Sequence, residues 1–200
     1  MTSTPVRDPA PPLRDYELLV CVTGGVAAYK AAFLVSRLVQ DGCGVTVALT
    51  RAARRFVGPT TFQALTGRAV LTSQWHARDP GAMDHLRPSE MADLLLVAPA
   101  TANIIGKLAN GIADDLVSTL LLGADCPVML APAMNTRMWQ HPAVQRNVAF
   151  LREQGVRLVG PAEGRLACGT SGPGRMSEPD EIYAAVRAAL LSRPPRRASR

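Results

Sequence analysis

The chain has 200 residues, is 48% hydrophobic and 19% charged, and carries a formal charge of +6. That describes one domain of ordinary size with a real core, and it excludes disordered and fibrous classes. Apolar runs such as Leu94–Ala100 are strand-length, far short of the roughly 20 residues a bilayer requires, and Pro and charge dominate before Tyr16 where a signal peptide would be apolar. A cytoplasmic location with no membrane partner is expected.

The tail Ser192–Arg200 holds four arginines and no acid, and Met1–Asp15 is balanced, which leaves +2 for the body. A short Pro-Arg end reads as solvated rather than as a basic face, so no nucleic-acid partner is expected. Cys21, Cys43, Cys126 and Cys168 form no C-x-x-C, and no His stands at metal-ligand spacing, so neither a metal site nor a disulfide framework is expected. The first three adjoin apolar strands and read as buried structural thiols. Cys168 lies in a Gly-rich segment instead.

In chain order, residues 1–15 read as a disordered tail, 16–191 as the folded domain and 192–200 as a second, basic disordered tail. Glu17–Thr23 is a predicted strand, followed by Gly24-Gly25 and a helix with Ala27, Ala31, Leu34, Val35 and Leu38 on one face. Gly44–Thr50 is a second strand, Ala53–Leu65 a helix, and 67–88 a long irregular stretch. Asp93–Ala98 and Pro127–Leu130 are nearly all apolar, as strands of a parallel sheet covered on both faces are. Helices are predicted near Ala102–Ala109, Ala113–Leu121 and Pro142–Gln154, the last with His141 as a cap, then a strand at Val156–Val159 and a helix at Glu178–Leu191. This alternation predicts an α/β fold: a doubly wound, mostly parallel sheet in a flavodoxin-like or Rossmann-like three-layer sandwich.

Three segments follow strands and point to the crevice at the sheet's carboxyl end, where ligands sit in such folds. Thr23-Gly24-Gly25-Val26 leads into a helix whose N-terminal N–H groups suit a phosphate, although such turns also serve simply to reverse the chain. Thr50 ends the next strand beside the same crevice. Pro99–Asn103 repeats the design; Thr101 and Asn103 are ordinary capping residues or ligand contacts, with Ala100 and Ala102 letting a ring lie close. Asn135, between Met134 and Met138, either shapes a turn or reaches into the crevice. His85 stands at the end of the irregular stretch; His76 and His141 read as solvated.

These motifs resemble those of the flavin-dependent cysteine decarboxylases. The resemblance runs from about Leu18 to Ile182 through Gly-Gly-Val-Ala-Ala-Tyr-Lys, the His85 segment, Pro-Ala-Thr-Ala-Asn with Pro-Ala-Met-Asn-Thr-Arg-Met-Trp, and Ala-Cys-Gly…Gly-Arg-Met. It implies FMN as cofactor, contacted by Gly24, Gly25, Val26, Thr50, Thr101, Ala102, Asn103 and Ala133. It also implies His85, Asn135 and Cys168 as catalytic residues, with Asn135 and Met138 binding substrate. The implied reaction is decarboxylation of 4'-phospho-N-pantothenoyl-L-cysteine to 4'-phosphopantetheine and CO2 in coenzyme A biosynthesis, through thioaldehyde and enethiol intermediates. A homotrimer or dodecamer acting on a small molecule is the implied assembly. Two alternatives stay open: oxidative decarboxylation of a peptide's C-terminal cysteine, and a non-catalytic flavin-binding regulatory subunit. The chain also departs from its relatives. Ile104 replaces a Thr, which removes one hydroxyl contact, and Glu90 stands where relatives place a basic residue five positions after the His, with Arg87 nearby as a substitute.

Overall fold

The computed structural model describes residues 11–75, 86–165, 169 and 171–196. Five strands, β1 (Glu17–Val22), β2 (Gly44–Leu49), β3 (Leu94–Ala100), β4 (Val128–Pro132) and β5 (Arg157–Leu158), pair in parallel in the order β2-β1-β3-β4-β5. This is the flavodoxin-like strand order, with the topological switch point between β1 and β3.

The apolar strands are explained by burial on both faces. Alternate residues point to opposite sides of a strand. Leu18, Val20, Val22, Leu94, Leu96 and Ala98 meet α1 (Ala28–Gln40), α2 (Pro59–Thr66) and α8 (Pro179–Leu191). Leu19, Cys21, Leu95 and Val97 meet α4 (Ala102–Ala109), α5 (Leu116–Leu122) and α7 (Pro142–Glu153). Glu17 opens β1 as a charged residue that is 9% exposed, and Arg68 neutralises it with two contacts of 2.5 and 3.1 Å.

Several local features differ from the sequence expectation. The helix expected over Ala53–Leu65 is split into a 3₁₀ turn, Ala53–Arg55, and α2, because Gly58-Pro59 starts a new helix with Pro in its first turn. The stretch 67–88 holds a bridge from Leu71 to Ala48 and the start of the short α3 (Arg87–Met91). Asn135 caps another short helix, α6 (Thr136–Gln140). The Gly-rich segment is part of an antiparallel pair, β6 (Ala162–Arg165) and β7 (Ser171–Arg175). Its glycines hid the strands, since Gly is depleted in strands.

The tails also differ. Leu13 is fully buried, and its N–H donates to the Asp41 carbonyl at 3.0 Å, so the fold begins before Tyr16. At the other end Arg196 is docked, not solvated. Its backbone N–H donates to Asp93 at 2.6 Å, and its guanidinium donates to Asp125 at 2.6 Å and to the Glu90 carbonyl at 3.2 Å. The tail has no acid of its own; its partners stand just before β3 and β4 and are distant in sequence. Residues 1–10 and 197–200 lie outside the described residues.

Candidate active site

A crevice of about 1060 Å³ opens at the carboxyl ends of the strands, across the β1/β3 switch point. It is lined by Gly24, Gly25 and Val26 after β1, Thr50 to Ala52 after β2, Thr101 to Ile104 after β3 and Ala133 to Asn135 after β4, with Met138 beyond. All eight residues expected to contact a cofactor, together with Asn135 and Met138, thus face one space. His85 and Cys168 lie outside the described residues. Glu90 and Arg87 stand on α3, and neither is among the described residues that line the crevice.

The two glycines serve different ends. A methyl on Gly24 would sit 2.4 Å from the Ala52 Cβ, so Gly24 lets the β1 and β2 loops close on each other. A methyl on Gly25 would meet only Thr101 and Pro99 side-chain carbons, at 3.8 and 3.9 Å, and would project into the space a ligand occupies. The α1 and α4 N-termini both lack a side-chain cap, and both reach the crevice. Free N–H groups at a helix start favour an anion, although at α1 the Ala28 and Lys30 N–H groups already donate to the Gly25 and Ala27 carbonyls at 3.0 Å. Thr101 occupies the cap position of α4, but its hydroxyl lies 3.2 Å from the Thr23 hydroxyl instead. Thr23 is buried; its O–H donates to the Pro99 carbonyl at 2.6 Å and its oxygen accepts the Thr101 N–H at 3.3 Å, locking the β1 and β3 ends together. Thr50 accepts the Ala53 N–H at 3.1 Å, which leaves its own O–H as a donor. The volume lies just above the roughly 300–1,000 Å³ typical of small-molecule sites.

For Asn135 both open readings hold. Its Oδ1 accepts the Arg137 N–H at 2.8 Å as the α6 cap, and the residue lines the crevice. Strand β7 packs directly beside it. The Met134 N–H donates to the Gly174 carbonyl at 2.9 Å, and a methyl on Gly174, where φ is +129°, would strike the Met134 carbonyl at 2.4 Å. Gly172 and Gly174 therefore allow the close contact of β7 with the Asn135 loop. Ile104, in place of a hydroxyl residue, is buried on the α4 side of the core while lining the crevice.

Charged groups also line the crevice: Lys30 and Arg175 belong to the Gly-Gly-Val-Ala-Ala-Tyr-Lys and Gly-Arg-Met motifs, whereas Arg51, Arg165 and Asp115 lie outside the quoted motifs. Lys30 is 7% exposed, and its ammonium donates to Glu178 at 2.9 Å and to the Met176 carbonyl at 3.4 Å, tying the exit of β7 to α1. The Lys30 hydrogen bond holds the Glu178 carboxyl below the usual range, aided by Arg175. Arg51, Arg165, Arg175 and Asp115 also line the space. For Asp115 a signal existed, since Asp115-x-x-Ser118 ahead of an apolar run is a capping box. Away from the site, burial pushes the Cys43 thiol up to about 12 and Cys126 up to about 11, and it raises Cys21 too. His141 accepts the Ala143 N–H at 3.2 Å and caps α7, as the sequence predicts.

The family model described as Flavoprotein matches residues 7–191. The chain belongs to this family. It is 51% identical over 170 residues to the coenzyme A biosynthesis bifunctional protein CoaBC of Bacillus subtilis, covering 85% of this chain and 42% of that protein. Against CoaBC of Mycolicibacterium smegmatis it is 47% identical over 165 residues, covering 82% and 39%. The chain thus spans less than half the length of these curated relatives. Among solved structures, a Cys-to-Ser mutant of PPC decarboxylase complexed with pantothenoylaminoethenethiol aligns with a TM-score of 0.79 at 31% identity, over 88% of this chain and 98% of that one. The FMN-dependent cysteine decarboxylase SpaF aligns with a TM-score of 0.79 at 36% identity, over 90% and 98%. The flavodoxin-like sheet is the fold these family members share with the chain.

Proposed function

We propose that this chain is an FMN-dependent decarboxylase that converts 4'-phospho-N-pantothenoyl-L-cysteine to 4'-phosphopantetheine and CO2. The observation that carries this is the convergence of the glycine turn, the Thr101–Asn103 helix start and Asn135 on one crevice. The likeness to CoaBC proteins and to a PPC decarboxylase supports the choice of substrate.

The open space beside Gly25 and the uncapped α1 and α4 N-termini fit a flavin nucleotide, with Val26, Thr50, Ala102 and Ala133 along its walls. Bound there, FMN supplies a reversible two-electron acceptor. The substrate's amine is locked in an amide, so a Schiff-base electron sink is closed to it. Oxidation at the thiol-bearing carbon opens another route: loss of hydride from that carbon and of the thiol proton gives a thioaldehyde. Its C=S then takes up the electron pair as the carboxylate leaves, giving an enethiol. Return of hydride to the same carbon, with a proton added at the neighbouring one, completes the product, so the overall reaction is redox-neutral.

His85 takes the thiol proton in this scheme, with ordinary values near 6.5 for imidazole and 8.5 for a thiol placing the transfer within reach. The Asn135 amide donates to the substrate carboxylate. A neutral donor suits that place, because a cation would stabilise the charged ground state that has to be lost. Cys168 gives up the final proton, and Met138 borders the substrate.

Oxidative decarboxylation of a peptide's C-terminal cysteine is the second reading, favoured by the likeness to SpaF. It stops at the enethiol and needs no final proton donor; the Cys168 segment favours the complete reaction. Incubation of purified protein with each substrate tests the choice. Loss of CO2 alone from the phosphopantothenoyl compound supports the proposal, and loss of CO2 with two hydrogens from a peptide alone refutes it.

Self-association into a homotrimer, or a dodecamer built of four trimers, belongs to the same proposal. Val26, Tyr29 and Phe33 are 57%, 62% and 60% exposed; Tyr29 and Phe33 stand four apart on one face of α1, and Val26, in the turn just before the helix, lines the crevice together with Tyr29. A contiguous apolar patch there is the mark of an interface. Among the described residues no helix is long and apolar enough to cross a membrane.

A further inference from the structure

Asp115 is the one acidic residue among the described residues that line the crevice, and the scheme above leaves it unused. It caps α5 through its Oδ1, which accepts the Ser118 N–H at 2.9 Å, while its Oδ2 accepts the Lys107 ammonium at 2.7 Å. Lys107 also binds Asp114 at 2.5 Å, so two carboxylates share one cation and the trio carries one net negative charge. Capping alone does not call for this arrangement, since Ser, Thr or Asn caps a helix about as well. A carboxylate oxygen has two acceptor directions, and the side chain, 36% exposed, is among those that line the crevice. A carboxylate repels a phosphate and attracts donors. It therefore marks the part of the crevice suited to the neutral, N–H- and O–H-bearing portion of a flavin.

We propose that Asp115 accepts a hydrogen bond from the bound flavin and holds a fixed negative charge beside it, favouring the oxidised over the reduced cofactor. This rests on the FMN reading given above. The charge persists at working pH: burial raises the Asp115 carboxyl, but the Lys107 hydrogen bond, the Ser118 N–H and the Lys107 charge together outweigh it and set the carboxyl below its ordinary value. The functional consequence is a cofactor that does not retain electrons, as a redox-neutral reaction requires and as an oxidative one does not.

The test is the midpoint potential of bound FMN, with its dissociation constant from fluorescence titration, in wild type, Asp115→Asn and Lys107→Gln. Asn preserves the cap. In Asp115→Asn the ratio of affinities for oxidised and reduced FMN should fall about tenfold, an upward shift of about 30 mV for a two-electron couple. In Lys107→Gln, which strips the compensating cation, the potential should move downward. Opposite signs distinguish an electrostatic role from a structural one, because loosened packing has no reason to reverse direction. Unchanged potentials in both variants, or shifts of the same sign, overturn the assignment while leaving FMN binding intact. A wild-type chain that takes up no FMN removes the underlying reading instead.

Discussion

Replacing each crevice glycine by alanine separates packing from ligand contact. Neither Gly24 nor Gly25 has positive φ, so the backbone tolerates alanine at both. At Gly24 the new methyl would stand 2.4 Å from the Ala52 Cβ and 3.1 Å from its carbonyl carbon. Carbon contacts prefer roughly 3.5–4.0 Å, so the Thr50–Ala53 loop has to retreat by about 1 Å. Overpacking of this kind costs about 1–3 kcal/mol. The stiffer unfolded chain returns about 0.4–1 kcal/mol. The clash wins, with a net loss of about 1–2 kcal/mol and a fall in Tm of roughly 2–8 °C. At Gly25 the nearest atoms lie at 3.8 and 3.9 Å, so the entropy gain acts alone and the cofactor-free protein should become slightly more stable. The methyl then occupies space meant for the flavin, so FMN affinity should drop and the stabilisation conferred by saturating FMN should shrink. Urea melts with and without FMN read both effects, and Ala52→Gly should restore much of what Gly24→Ala loses. Equal stability of Gly24→Ala and wild type, or undiminished FMN affinity in Gly25→Ala, would refute the division of labour between the two positions.

Other outcomes follow from the geometry and the proposed chemistry. Cys168→Ser should release CO2 yet accumulate the enethiol, whereas His85→Asn should bind FMN and lose decarboxylation; mass spectrometry of a single turnover distinguishes them, and full turnover by either variant removes that residue from the mechanism. With Cys126 near 11 and Cys43 near 12, at pH 8 about one Cys126 thiol in a thousand is thiolate, and fewer for Cys43, so neither should react with Ellman's reagent before unfolding. Asp115 titrates lower in the folded than in the unfolded protein, so its contribution to stability is complete above about pH 3.9 and fades as pH falls through the lower folded value; Lys107→Gln should flatten that acid limb in urea melts. Phe33→Asp should shift the protein to a smaller species in light scattering with its far-UV spectrum unchanged, and an unaltered mass would exclude the α1 stripe as the contact.

The sheet was legible because burial on both faces leaves a continuous apolar signature, and Leu94–Ala100 admits little else. Most crevice residues were legible for a related reason: in such a sheet, whatever follows an apolar strand stands at the mouth, which placed Thr50, Thr101 and Asn135 together before any coordinates. Asp115 was missed because it follows a helix and a loop rather than a strand. The β6–β7 pair was missed because the β7 glycines, Gly174 and Gly172, answer to the Met134 carbonyl and to Thr136, contacts no local pattern encodes. Arg196 looked solvated for the same reason, its acidic partners lying 71 and 103 positions away.

That last anchorage has a spatial corollary. The guanidinium fastens the segment leaving α8 beneath the amino ends of β3 and β4, at the pole of the molecule opposite the mouth. Cargo grafted after this point, whether a purification handle or a whole second protein, departs from the underside, and the entrance through which small molecules pass stays unobstructed.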